Sequence, residues 1–311
     1  MSERRCGYGR VFARDSAEIQ GVSAMIEITW RYDPASDHTE NEPATPAEAL
    51  ALLDEGNREF ANLDSASGVD RHLVIPVTAA DLGIGGIEGE APSQEPFVAL
   101  LGCADARVPP ELLFMQSAND AFVVRVAGNV LGAECVGSLD YAITHLQSLR
   151  LLTVMGHTGC GAVAAAVDSY LRPIFYLGLS SELPLRAVVD AIMAAVRGAD
   201  VALRRGHGDE VVARPGYRLA LIDTAVVLNA AVAADAIRTM FAARLGADLD
   251  VVFGVYDLVS RRVGLPLDSD TRWTPGLTHA PHGDEFLEFV RAVVTSAHVT
   301  RLLDLEPSGA H

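Results

Sequence analysis

Apolar residues follow two rhythms along this chain, and each predicts a kind of element. Near-continuous apolar runs occupy residues 96–102, 121–126, 151–156 and 249–256, with a shorter one at 262–267. Runs of that length suit strands covered on both faces, since a strand with one wet face would alternate. The segments between them space their apolar residues at helical intervals. They predict helices over 45–61, 137–147, 162–170, 185–204 and 219–245, and a short one from Pro109-Pro110-Glu111. The first opens on Thr45-Pro46-Ala47-Glu48, a capping box with proline at the first helical position. Residues 284–303 carry Phe286, Phe289, Val290, Val293 and Val294 at helical spacing, which predicts one amphipathic C-terminal helix.

Strands alternating with helices predict an α/β fold, a mainly parallel central sheet flanked by helices. Residues 1–44 are polar and irregular, so they are set apart as an N-terminal arm, either disordered or wrapped on a partner. Residues 45–311 are read as a single catalytic α/β domain with a C-terminal extension from about 268. The glycine- and proline-rich stretch 64–95 is an excursion before the first core strand.

Two of the predicted strands end on residues with chemistry. The run 96–102 leads into Cys103-Ala-Asp105-Ala-Arg107, and the run 151–156 leads into His157-Thr-Gly-Cys160. Two thiols and an imidazole match the Cys2His set of catalytic zinc sites, in which a fourth position stays open; a closed structural site would need another Cys or His, which neither segment supplies. Sites in open α/β sheets lie at the carboxyl ends of strands, so both groups of donors emerge at the right edge. The helix predicted from residue 162 would turn its positive end toward the thiolates.

In these residues the chain resembles the beta-class carbonic anhydrases. The family pattern is Cys-x-Asp-Ser-Arg followed by His-x-x-Cys, matched here by Cys103, Asp105, Arg107, His157 and Cys160. The flanks Arg107-Val-Pro-Pro-Glu-Leu-Leu-Phe114, Phe122-Val-Val-Arg-Val-Ala-Gly-Asn129 and Gly137-Ser-Leu-Asp-Tyr141-Ala also match, and the likeness spans roughly residues 45 to 260. The resemblance implies zinc held by Cys103, His157 and Cys160, with Asp105 as a fourth ligand in a closed state. It implies reversible hydration of carbon dioxide to bicarbonate and a proton, by attack of zinc-bound hydroxide. Asp105 would accept the hydroxide's hydrogen and Arg107 would orient that carboxylate. Gln94 would face the substrate, with Phe122 and Tyr141 forming part of an apolar wall shared with a partner subunit, which makes a homodimer or a multiple of one.

With two thiolates on the metal, activity should be low in mild acid and rise above neutrality. Hydrolysis of carbonyl sulfide or carbon disulfide on the same fold, and a noncatalytic zinc scaffold, are the alternatives. Three departures stand out. Ala106 replaces the usual serine, Met115-Gln116-Ser117 stands where many bacterial members read Asp-Gln-Gly, and Leu100 occupies the place of a regulatory tryptophan.

Composition narrows the remaining choices. All 24 basic residues are arginine, which removes lysine Schiff-base chemistry and a P-loop lysine. The net charge of −17 disfavours nucleic acid and anionic membranes as partners. Four cysteines, two of them assigned to metal, do not make a disulfide framework. No apolar run approaches the eighteen or so residues of a membrane span, and a secretory leader is not evident, so the expected location is cytoplasmic. His279 and His282, in Thr-His-Ala-Pro-His, read as a solvent-exposed pair, and His72, His145, His207 and His298 as surface or core residues. Cys135 reads as a small buried hydrophobe.

Overall fold

The computed structural model describes residues 26–32, 42–64, 71–79, 81–84, 93–178, 183–267 and 273–306. In chain order its elements are β1 (Ile26–Tyr32), α1 (Pro46–Ala61), β2 (Arg71–Val77), β3 (Val98–Gly102), α2 (Pro110–Leu113), β4 (Ala121–Arg125), α3 (Ala133–His145) and β5 (Leu151–His157). They continue with α4 (Gly161–Leu171), α5 (Pro173–Gly178), α6 (Leu183–His207), α7 (Tyr217–Met240), β6 (Asp250–Tyr256), β7 (Val263–Leu265), β8 (Thr274–Pro275), α8 (Glu285–Thr295) and α9 (Ala297–Leu303).

The main sheet runs β4-β3-β5-β6-β7-β8. Its first four strands are parallel, and β7 and β8 close one edge antiparallel. Alternate side chains of the parallel strands enter two separate cores, which is why the runs are apolar throughout. Ala99, Leu101, Leu152, Val154, Val251 and Phe253 face the larger core with α3, α4, α6 and α7. Val98, Leu100, Leu151, Met155 and Val252 face the smaller one, covered by α1 and α2. This is the mainly parallel, helix-flanked α/β fold that the pattern predicts.

Strand order reverses at β3 and β5. The chain leaves β3 toward α2 on one face and leaves β5 toward α4 on the other, so a crevice opens between adjacent strand ends. Cys103 and His157 stand at those two ends.

Four features depart from the sequence reading. Within the residues read as an irregular arm, β1 pairs in parallel with β2, which lies in the excursion 64–95, as a separate two-stranded sheet. Ile26, Ile28, Trp30 and Tyr32 alternate along β1, and that period-two pattern is a strand signal. The rest of the arm, residues 1–25 and 33–41, lies outside the described residues, as does Cys6. The single C-terminal helix is two helices, α8 and α9, broken at Ser296, whose backbone turns out of helix at φ −60, ψ 153. Both pack on the larger core through Val293, Val294, Val299 and Leu303. Helix α3 starts at Ala133, four residues ahead of the pattern, with Gly132 as its cap. Finally, α7 is long and apolar enough to cross a membrane by length and composition, but 78% of its apolar window is buried inside the protein, as in a core helix.

Candidate metal centre

Cys103 follows the last residue of β3, His157 ends β5, and Cys160 caps α4. Register places Gly102 beside Met155, so the two strands deliver their donors side by side. Between His157 and Cys160 the chain reverses at Gly159, whose φ of +66 is left-handed backbone that glycine adopts without strain. The loop is braced from β6: Thr158 donates its hydroxyl to Asp257 at 3.1 Å and its backbone N–H to the Tyr256 carbonyl at 3.0 Å.

The three donor atoms all lie within 4.8 Å of one another, and the sulfurs are 4.0 Å apart. A tetrahedral zinc with bonds of about 2.3 Å to sulfur spaces two sulfurs by roughly 3.8 Å. The same gap is far too long for a disulfide. His157 is fully buried; its Nδ1 lies 2.9 Å from the Thr158 carbonyl, an acceptor only, so that nitrogen carries the proton. Nε2 keeps its lone pair and has no hydrogen-bond partner. A buried imidazole held at one nitrogen and unsatisfied at the other, facing two thiols, is the donor chemistry a soft divalent metal requires.

Charge in the cluster points the same way. The hydrogen bond with Cys160 pulls the Cys103 thiol down to about 3 against the opposing effect of burial, with further help from the backbone N–H groups of Asp105 and Gly128. Cys160 is pushed up by its hydrogen bond with Cys103 and by burial. The two thiols are thus shifted in opposite directions, as neighbouring acids are when one charge disfavours a second.

Asp105 and Arg107 sit at the rim. Arg107 grips the carboxylate with Nε on Oδ1 at 3.0 Å and Nη2 on Oδ2 at 2.7 Å, and adds its own backbone N–H at 2.9 Å. These bonds hold the Asp105 carboxyl well below the usual carboxylate range. Oδ2 stands 3.9 Å from His157 Nε2. The carboxylate is thus engaged with the guanidinium, next to the donor set and outside it. Ala106 is exposed, and Met115 takes a left-handed backbone with φ 53.

The three residues expected to face substrate are elsewhere in this chain. Gln94 is exposed ahead of β3, and Phe122 pairs in register with Ala99 near the start of β4. Tyr141, in the second half of α3, packs its ring 6.3 Å from that of Phe122 and is 46% exposed. All three lie toward the strand starts, whereas the donors lie at the strand ends.

Several residues that build the site were given no role by the sequence reading, although two of them, Arg125 and Gly128, lie in the matching flank 122–129. Arg125, at the end of β4, ties down the loop backbone by donating to the carbonyls of Cys103 at 2.9 Å and Asp105 at 2.5 Å. The Gly128 N–H donates to Cys103 Sγ at 3.3 Å, and Asn229 donates to the Gly128 carbonyl at 2.9 Å. The one available clue was Asn229 itself, a lone amide in a long aliphatic stretch of α7. Two other described histidines have acidic partners: His279 pairs with Asp250 at 2.6 Å and His282 with Asp235 at 2.9 Å, both exposed. His298 is buried against Asp223, and Cys135 is buried as expected.

Fold and site together define an α/β protein with a Cys2His donor set at the switch point of a parallel sheet. Residues 98–240 match the family model described as carbonic anhydrase. Carbonic anhydrase 2 of Mycobacterium tuberculosis is 39% identical over 122 residues, 39% of this chain and 53% of that protein. The carbonic anhydrase of Mycolicibacterium smegmatis is 33% identical over 129 residues, 40% of this chain and 55% of that protein. The match therefore spans about half the length of these two relatives. A solved structure of the Coccomyxa beta-carbonic anhydrase in complex with acetazolamide aligns over 83% of this chain and 96% of that one, at 21% identity and TM-score 0.46. Over this matched segment, which carries the ordered Cys-x-Asp-x-Arg and His-x-x-Cys motifs, the chain is similar to carbonic anhydrases.

Proposed function

We propose that this protein is a zinc-dependent carbonic anhydrase that interconverts carbon dioxide and bicarbonate. The observation that carries the reading is the buried, unpartnered Nε2 of His157 facing two sulfurs 4.0 Å apart, with an arginine-held carboxylate beside them. Cys103, His157 and Cys160 would hold the zinc. Zinc bound there would supply a Lewis acid that ionises water near neutral pH.

The chain's own residues do the rest. Asp105 is charged and acceptor-only, so it takes a hydrogen bond from a hydroxyl at the rim and thereby aims the oxygen's remaining lone pair at substrate carbon. Arg107 occupies both carboxylate oxygens, which keeps Asp105 in one orientation and supports its negative charge. Arg125 fixes the backbone that carries both Cys103 and Asp105, so donor and acceptor keep their spacing.

Gln94, Phe122 and Tyr141 are assigned to the substrate wall of a neighbouring subunit's site, because they lie toward the far end of the sheet from their own chain's donors. A homodimer, or a multiple of one, is the assembly this reading requires.

The test is metal analysis of purified protein together with stopped-flow hydration of carbon dioxide. The expected result is about one zinc per chain, in keeping with a single three-donor site, and a rate low in mildly acidic buffer that rises above neutrality. Metal-free protein, or zinc-loaded protein that fails to hydrate carbon dioxide at alkaline pH, would overturn the reading.

A further inference from the structure

Asn229 is a buried amide whose hydrogen bond leaves its own helix for the backbone of the donor site. Its Nδ2 donates to the Gly128 carbonyl at 2.9 Å, and the N–H of the same glycine donates to Cys103 Sγ at 3.3 Å. Gly128 has the left-handed backbone φ 66, ψ 19 inside the tight turn Ala127–Asn129. A Cβ added there would come within 2.8 Å of Ile192 Cδ1 and 3.1 Å of Ala162 Cβ, so the turn is wedged between α6 and the start of α4. With steric walls on one side and one amide on the other, the direction of the Gly128 N–H depends on that amide.

We propose that Asn229 is a positioning residue of the metal centre: by anchoring the Gly128 carbonyl, it keeps the Gly128 N–H aimed at the Cys103 sulfur and sets how much charge that sulfur gives a bound metal. The inference rests on the metal-site reading above. An N–H donated to a thiolate draws charge away from the sulfur, and such outer contacts orient and tune metal ligands. Removing the amide leaves a buried carbonyl without its partner, and the left-handed turn relaxes to satisfy it. The N–H then swings off the sulfur, which becomes a stronger donor in a less fixed position.

The test uses cobalt(II) in place of zinc, because the near-ultraviolet sulfur-to-cobalt charge-transfer band reports the charge on the thiolate. Asn229→Leu is expected to move the band to lower energy and to change zinc affinity by about tenfold, the lower end of what loss of an outer-shell partner costs. Asn229→Ala carries the same expectation and stands in if the leucine variant does not fold. Thr224→Val, at another buried polar residue of α7, should leave the band where it is. A band unmoved in the Asn229 variants overturns the inference, whatever their melting temperatures, and so does an equal movement in Thr224→Val. Wild-type protein that takes up no cobalt would instead sink the metal-site reading.

Discussion

Asp105 is a small residue with an unusual number of donors on it. Three N–H groups of Arg107 reach its two oxygens, and they hold its pKa well below the ordinary carboxylate value of about 4. The sign is that of a depressed acid: its contribution to stability is present above the ordinary value and is lost only as pH falls through the lower, folded one. Asp105 is therefore charged across mild acid to alkaline pH, and any acid limb of activity in that range belongs to another group. Asp105→Asn keeps the shape and removes the charge. It is expected to lower carbon dioxide hydration by about a hundredfold or more, the range for a lost proton-handling group. Zinc content should stay near one per chain, because the three donors are untouched; stopped-flow rates and metal analysis on the same sample check both halves. Asp105, Arg107 and the donors were legible in the sequence because their chemistry lies in side chains at short, fixed spacing. The roles of Arg125, Gly128 and Asn229 were not. They act on or through backbone atoms, and which carbonyl or N–H a side chain meets is decided by packing between segments far apart in the chain.

Helices and strands divide in a similar way. The four parallel strands were legible because burial on both faces leaves continuous apolar runs, and α1 because its cap is written out as Thr45 with its hydroxyl accepting from the Glu48 N–H. The break between α8 and α9 was hidden because the apolar spacing runs on through it. Val293 and Val294 before the break and Val299 and Leu303 after it all reach the same core. The residue that makes the break is Ser296, whose Oγ accepts from the Val299 N–H at 3.3 Å and donates to the Val293 carbonyl at 2.7 Å. Ser296→Ala removes that cap and leaves both groups buried without it. A loss of about 1 kcal/mol, typical for a helix cap, is expected as a lower midpoint in urea with unchanged slope. The pairing of β1 with β2 was hidden for a different reason. Parallel partners need no hairpin turn between them, so nothing local joins residues 26–32 to residues 71–77.

At the scale of the whole molecule, the distance between the two halves of the expected site is what the proposed dimer has to bridge. Phe122 is in register with Ala99, four residues before Cys103, and at about 3.3 Å per residue that is roughly 13 Å along the strand. Gln94 lies further back still. A single chain of this shape cannot lay its own aromatic wall against its own donors, while two copies that meet strand start to strand end can each complete the other. No sequence pattern carries such a relation; only the resemblance suggested it, and the strand register supplies the physical reason. Two crippled variants make the test. One carries Asp105→Asn; the other carries Phe122→Ala and Tyr141→Ala. Each alone should be nearly inactive. In a mixed dimer, the double-alanine chain keeps its own donors and Asp105 and receives an intact wall from the Asp105→Asn chain. One site of the two is then whole. Random re-assortment makes half the dimers mixed, so co-expressed variants should recover about a quarter of wild-type activity per site, as follows from a two-fold assembly. If each chain built its site alone, the mixture would do no better than the average of its parents, and stopped-flow rates on the co-expressed sample would show it.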